Sequence, residues 1–193
     1  MGSWLSWESA AFATRRPRVR IPSSPFFIIS KQRRIDITDK NKLKAINSLT
    51  EQFFKLFDNR SGKPNIAPIY DLFTPDGIIR KCLCDKPEVY SVKEFAKSRE
   101  GILSSGELTD FFEEEVHHKT DEFGNIAQRF CIYRKSGVLN GVGFTAYGIK
   151  TIQFVNTTDG FRICAAAWDD EREGFSINDA LKDYGFPPPH KTT

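Results

Sequence analysis

The sequence contains few residues that form covalent or metal cross-links, with one methionine, three histidines and four cysteines among 193 residues. No two of Cys82, Cys84, Cys131 and Cys164 form a Cys-x-x-Cys pair. A chain of this length can bury a core that is stable without disulfides, and Cys82 and Cys84 have no second ligand pair at zinc spacing. We therefore expect reduced, buried thiols in a cytoplasmic protein, and neither a metal nor a cofactor.

Long apolar runs are also missing. A membrane-spanning helix needs about 20 apolar residues, and the longest apolar run near the start covers only residues 26–29. This run is too short for a membrane helix and also too short for the apolar core of a signal peptide. Hydrophobic residues make up 39% and charged residues 27% of the chain, as in globular proteins, and seventeen Phe against one Met predict a core built on aromatic packing.

The net charge of +3 is unevenly distributed. Residues 1–34 carry seven Arg or Lys side chains and one acidic side chain, so the rest of the chain is net negative. A domain that binds nucleic acid needs an excess of positive charge to hold the phosphate backbone. We therefore expect no nucleic-acid partner for the folded part of the chain.

The basic N-terminal segment, residues 1–37, is expected to be disordered. Its first 25 residues have neither helical nor strand periodicity and are broken by three prolines. A transit peptide, a basic arm for nucleic acid and translated non-coding sequence are all open interpretations. The last is favoured, because residues 18–22 can be encoded by CGG-GTT-CGA-ATC-CC, which resembles the T-arm of a transfer RNA gene. Met1 is the only methionine, so a later start would need a non-AUG codon.

Helices are predicted in the first half of the remaining chain. Apolar residues recur every three or four positions over residues 43–57, which indicates an amphipathic helix. A short second helix is predicted over residues 66–73, closed by the turn residues 74–77. Ser91 and Glu94 form a capping box that opens a third helix.

Strands dominate the second half. A short strand over residues 78–83 is followed by longer ones over 108–119, 126–135, 142–156 and 161–169, joined by hairpin turns. Gly143 and Gly148 inside the third long strand predict a bulge or a bend. This order predicts an α+β domain over residues 38–172, with a curved antiparallel sheet packed against three N-terminal helices in a cone. Residues 173–193 are predicted to be a tail that is mobile or packs on the outside.

The order of elements resembles the nuclear transport factor 2-like superfamily over residues 40–172. The resemblance rests on the strands at 148–155 and 159–163 and on the run Trp-Asp-Asp-Glu-Arg at 168–172. Within the superfamily it is most similar to the bacterial SnoaL-type group related to polyketide cyclases, although Phe161 stands where that pattern often has Trp. The resemblance implies a cystatin-like roll. Its members include isomerases, dehydratases, cyclases, ligand binders and scaffolds, so the fold alone selects no function.

Strand alternation places candidate side chains inside the expected cone. Phe112, Glu114 and His118 share one face of their strand, and Phe130 and Arg134 share the apolar face of the next. We assign this side to the interior. Glu114 and Arg134 then form a polar patch that lines a pocket or, alternatively, a cross-strand pair at a wet edge.

Two candidate catalytic groups follow. His118 has the ordinary pKa of a general acid or base, the alternative being a hydrogen-bonded structural histidine. His117 points to the opposite face, so the two histidines are not expected to share a metal ion. Asp71 is a candidate base for proton abstraction beside a carbonyl, with Tyr70 or Tyr147 stabilising the enolate. The alternative is a solvated aspartate and two core tyrosines.

Trp168 ends a run, residues 163–167, that is apolar on both faces. A strand without a polar face is covered on both sides. One side is the core, where Trp168 is expected to line the pocket. The other side is expected to be covered by a second copy of the chain, in a homodimer formed through the outer face of the sheet.

The leading functional hypothesis is a domain that binds a small, mostly apolar molecule. The alternatives are a cofactor-free isomerase, dehydratase or cyclase, and a non-catalytic scaffold whose cone is filled by its own phenylalanines. An open apolar pocket favours the binding domain, inward titratable groups favour the enzyme, and a packed interior favours the scaffold.

Overall fold

The computed structural model describes residues 37–83 and 86–184. They form four helices and six strands. In chain order these are α1 (Ile37–Lys55), α2 (Ile69–Leu72), β1 (Phe73–Lys81), β2 (Glu88–Ser91), α3 (Val92–Ser104), β3 (Leu108–Phe123), β4 (Ile126–Leu139), β5 (Val142–Thr157), β6 (Gly160–Asp170) and α4 (Ile177–Tyr184). None of these helices is long and apolar enough to cross a bilayer. The predicted N-terminal segment lies, except for Ile37, outside the described residues.

The strands form one curved sheet in the order β2-β1-β6-β5-β4-β3. Three hairpins connect β3 to β6, so these strands are antiparallel to their neighbours. β1 and β6 are parallel, and the long connection that parallel strands require runs through α3 and the four strands β2 to β5. The predicted α+β class, with helices packed on a sheet, is therefore confirmed. The sheet was predicted to be wholly antiparallel, but it is mixed.

α1 and α3 pack on one face of the sheet, here named the inner face. Phe53 of α1 and Phe57 of the turn after it are buried, and these rings meet Phe73 of β1 and Phe95 of α3 edge-on, with ring centroids 5.3 and 5.8 Å apart. Phe95 in turn lies 5.7 Å from Trp168 of β6. The predicted capping box is present at the start of α3. The aromatic core expected from the seventeen phenylalanines is therefore the contact between helices and sheet.

The second predicted helix is shorter than expected. α2 ends at Leu72, and β1 begins at Phe73 and runs through the predicted turn residues 74–77. The pairing of β1 with β6 shifts register between Phe73 and Ile78. Pro75 lies in this irregular part, where no ladder hydrogen bond is lost by its missing N–H. The prediction of a turn at residues 74–77 was therefore wrong, since these residues form an irregular part of a strand.

The predicted C-terminal tail contains helix α4, which the sequence interpretation missed. Ile177 and Leu181, one turn apart, are 5% and 3% exposed. They cluster with Ile132 of β4 on the outer face of the sheet, beside Tyr147 and Ile149 of β5. The expectation that the tail packs on the outside holds for this helix.

The predicted assignment of the strand faces was wrong. In β4 the inner face carries Ala127, Cys131 and Tyr133, which belong to the main core, whereas Ile132 lies on the outer face. The sequence suggested the reverse, because the Phe130 face is the more apolar of the two. The physical reason is α4, which covers the outer face of β4 and so favours apolar side chains there as well.

A β-bulge also changes the predicted alternation in β3. The pairing with β4 shifts between Glu115 and His117, so one extra residue enters β3 at Val116. His118 therefore shares the inner face with Glu115 and not with Glu114. Strict alternation, which placed Glu114 and His118 on one face, cannot anticipate this shift.

The two glycines of β5 cause no bulge. The pairing of β4 with β5 is continuous past Gly143 and Gly148, and the register shift of β5 lies further along, opposite β6. Gly148 instead leaves room for Tyr133, whose phenol occupies the space that a Cβ would need.

Candidate functional site

A cavity of about 320 Å³ lies between α1, α3 and the inner face of the sheet. We name it the inner cavity. Its walls come from both helices, the turn after α1 and four strands, and they carry six aromatic, five aliphatic and five charged side chains. The aromatic lining residues are Phe53, Phe57, Phe95, Phe111, Phe144 and Trp168. The core phenylalanines therefore surround a space without filling it, and the volume is at the lower end of the roughly 300–1,000 Å³ of ligand pockets.

A buried ion pair lies at one side of the inner cavity. The ammonium of Lys150 is 2.9 Å from a carboxylate oxygen of Glu113, and the two side chains are 4% and 9% exposed. The same ammonium lies over four aromatic rings, 4.4 Å from the ring centroid of Phe54 and 5.2 Å from that of Phe53. Ring faces attract cations, so the rings and Glu113 together compensate for the lost hydration of Lys150.

A second polar group in the cavity wall centres on Asp170, at the end of β6. One carboxylate oxygen accepts a hydrogen bond from Lys135 at 2.6 Å, and the other accepts the hydroxyl hydrogen of Tyr133. Burial, followed by the charge of Asp170, raises the pKa of Tyr133 far above its usual range. The phenol therefore stays protonated and acts as a permanent donor to Asp170.

Arg99 of α3 is the third basic side chain that lines the inner cavity. Its guanidinium lies 4.9 Å from the ring centroid of Phe95 and 5.8 Å from that of Trp168. Desolvation lowers the pKa of Arg99 from its ordinary value, although Glu113 opposes this effect. Within the described part of the chain Arg99 forms no ion pair, in contrast to Lys135 and Lys150.

A separate groove of about 500 Å³ lies on the other side of α1, between that helix and β3. At its floor the buried guanidinium of Arg129 donates to Glu115 at 3.0 Å, to Thr120 at 2.9 Å and to Asn47 of α1. Nδ1 of His118 lies 3.0 Å from the same Glu115. Burial lowers the pKa of His118 in spite of the nearby Glu115 carboxylate. This network ties α1 to the sheet, and its histidine does not line the inner cavity.

The predicted site residues are distributed over several surfaces. Trp168 lines the inner cavity. Tyr70 and Asp71 are exposed on α2, and Tyr147 packs on the outer face near α4. The sequence interpretation therefore combined residues that the fold does not bring together.

Glu114 and Arg134 pair with each other but lie outside the inner cavity. Their charged atoms are 2.5 Å apart, and the side chains are 47% and 33% exposed. Glu114 borders the groove of His118. The geometry is that of the cross-strand pair considered as the alternative.

The sequence interpretation missed Arg99 and both cavity ion pairs. A signal for Lys150 was present, because it alternates with the apolar Ile152 and Phe154 on one face of β5. Likewise Asp170 follows Trp168 by two positions, which places both on one face of β6. No signal indicated that Glu113, 37 residues before Lys150, would be its partner.

The comparisons with known proteins agree with this architecture. No protein-family model matches the chain, and no curated protein matches it either. Among solved structures it is similar to a nuclear transport factor 2-like superfamily protein from Salmonella enterica serovar Typhimurium. The TM-score is 0.58 at 13% identity, and the match covers 69% of this chain and 93% of that one.

Two further structures have the same fold. An uncharacterised protein with a cystatin-like fold from Caulobacter vibrioides matches with a TM-score of 0.57 at 15% identity, over 74% of this chain and 99% of that one. A nuclear transport factor 2-like protein with a cystatin-like fold from Novosphingobium aromaticivorans matches with 0.55 at 14% identity, over 76% and 96%. The chain therefore has the cystatin-like fold of the nuclear transport factor 2-like proteins.

Proposed function

We propose that this domain binds a small, mostly apolar molecule in the inner cavity. The observation that supports it is the open volume of about 320 Å³ inside an aromatic wall. A scaffold whose interior is filled by its own phenylalanines would leave no such space, because protein cores pack closely. A concave, largely apolar surface with a small number of polar groups is typical of ligand pockets.

A cofactor-free isomerase, dehydratase or cyclase, as expected of the SnoaL-type group, is the alternative. Titratable side chains do face the cavity, which favours an enzyme. However, proton abstraction needs a carboxylate that is free to accept a proton. Glu113 and Asp170 each form an ion pair with a lysine, and Asp170 also accepts a hydrogen bond from the Tyr133 hydroxyl. Neither can take a proton without weakening an ion pair, so binding is the better supported function.

Filling the cavity tests the binding function. Ala146 lines it from β5, whereas its neighbour Thr145 is exposed on the opposite face. With the neutral fluorescent probe N-phenyl-1-naphthylamine, we expect saturable binding to the native chain. Ala146→Phe should weaken this binding by at least about tenfold, roughly 1.4 kcal/mol. Thr145→Phe is the matched control and should leave it unchanged. Equal binding by the native chain and both variants would place the probe elsewhere and contradict the proposal.

We also propose that the protein is a homodimer formed through the outer face of the sheet. Ala165 and Ala167 of β6 remain only half-buried in one chain, and Ile78 of the neighbouring β1 is 40% exposed. Small and apolar side chains on a sheet face suit a contact with a second sheet. The free thiols of Cys82, Cys131 and Cys164 support a reducing, cytoplasmic location for this dimer.

Light scattering tests the dimer. At micromolar concentration we expect twice the mass of one chain, and Ala167→Glu should give the monomer, because a charge would be buried between the sheets. The control Lys93→Glu, on the exposed side of α3, should remain dimeric. A native chain that is monomeric at this concentration would refute the proposal.

A further inference from the structure

We infer that the ligand of the inner cavity is a hydrophobic monocarboxylate whose carboxylate is bound by Arg99. This inference rests on the proposed binding function and adds the chemical class of the ligand. Three observations carry it, namely the charge balance of the cavity lining, the surroundings of the Arg99 guanidinium and the aromatic walls.

Among the described residues, the charge balance of the lining leaves one positive charge that forms no ion pair. The cavity is lined by three basic and two acidic side chains. Lys150 is paired with Glu113 at 2.9 Å and Lys135 with Asp170 at 2.6 Å. Both carboxylates are therefore neutralised within the protein and repel an incoming anion only weakly. The remaining charge is that of Arg99, so one anionic group on the ligand would balance the cavity.

The surroundings of Arg99 compensate that charge only in part, because Glu113, the main negative charge that acts on it, is already paired with Lys150. Its guanidinium is partly desolvated and lies over the rings of Phe95 and Trp168. Arginine remains protonated in proteins, so it cannot relieve the cost by losing its proton. Ring faces compensate only in part for lost hydration. A bound carboxylate supplies the missing counter-charge in the place where water has been removed.

The geometry of the guanidinium selects the anion. A guanidinium is planar and carries its N–H donors in that plane, where they match the two oxygens of a carboxylate. The aromatic side chains around it, Phe53, Phe57 and Phe111 among them, then enclose the apolar part of the ligand.

A matched pair of probes tests this inference. By isothermal titration at pH 7, we expect the native chain to bind 3-phenylpropanoate at least about tenfold more tightly than the uncharged 3-phenylpropanamide, as for one charge-assisted contact. Arg99→Gln should remove this preference, because it weakens binding of the acid far more than binding of the amide. Arg99→Lys keeps the positive charge but cannot form a bidentate contact with the carboxylate, so it should retain only part of the preference for the acid.

The controls separate the inference from the proposed function. Lys97→Gln removes a positive charge from the exposed side of the same helix and should preserve the preference for the acid. Equal affinity of the native chain for acid and amide would overturn the role of Arg99 and leave the binding function intact. Absence of binding for both probes, together with absence of binding for N-phenyl-1-naphthylamine, would overturn both. The comparison of acid and amide uses the native chain, so it tests the preference for a carboxylate even if an Arg99 variant does not fold.

Discussion

Lys150→Met is expected to lower the free energy of unfolding by about 3–5 kcal/mol, because it leaves the Glu113 carboxylate buried without its partner. The variant also removes the cation from four ring faces in the core. Chemical denaturation followed by circular dichroism measures the loss. A change below about 1 kcal/mol, the range of exposed ion pairs, would mean that water reaches this pair.

Two further variants isolate the effect of burial. Lys55→Met removes a lysine from a pair of similar length, 2.6 Å, whose side chains are 71% and 66% exposed. It should change the free energy of unfolding by less than about 0.5 kcal/mol. The double variant Lys150→Met with Glu113→Leu replaces both charges by apolar groups, which is often neutral in protein cores. It should therefore recover more than half of the stability lost in Lys150→Met.

Gly148→Ala is expected to lower the free energy of unfolding by about 2–3 kcal/mol through overpacking. An added Cβ would lie 2.5 Å from the backbone carbonyl oxygen of Asp169 and closer still to the phenol of Tyr133. The carbonyl belongs to the paired strand β6, so it cannot move without disturbing the ladder. The hydrogen bond from Tyr133 to Asp170, in the cavity wall, should be disturbed as well.

Gly143→Ala is the matched control in the same strand. Nothing lies within 4 Å of a Cβ added there, so the free energy of unfolding should change by no more than about 0.5 kcal/mol. Thermal denaturation of both variants, read together with binding of N-phenyl-1-naphthylamine, tests the difference. Equal effects of the two substitutions would mean that Tyr133 can turn away from Gly148 without cost.

The local patterns of the sequence determined the order of α1, α3 and the strands β3 to β6, and most of their limits, but they gave neither β2 nor α4. The capping box of Ser91 and Glu94 predicted the start of α3, and the hairpin turns predicted the connections between β3 and β6. Such signals are reliable because the residues that interact are neighbours in the chain. The α+β class and the sheet packed against helices follow from them.

Only the tertiary structure decided which face of each strand lines the cavity. The apolar Phe130 face of β4 proved to be the outer one, since α4 covers part of it, and a single extra residue at Val116 moved His118 to the other face of β3. Side chains in a strand alternate between two faces, so one extra residue moves every later side chain to the face opposite the one that alternation predicts. Periodicity in one strand carries no information about what covers each face.

The candidate site likewise depends on pairs that are distant in the chain. Lys150 and Glu113 are 37 residues apart, and Tyr133 is equally far from Asp170. Arg99 comes from a helix, and the rings beneath it come from that helix and from β6. The sequence by itself determined that these charges exist within apolar segments. Their pairing was decided by the folded sheet, because these partners are far apart in the chain and only the fold brings them within a few ångströms.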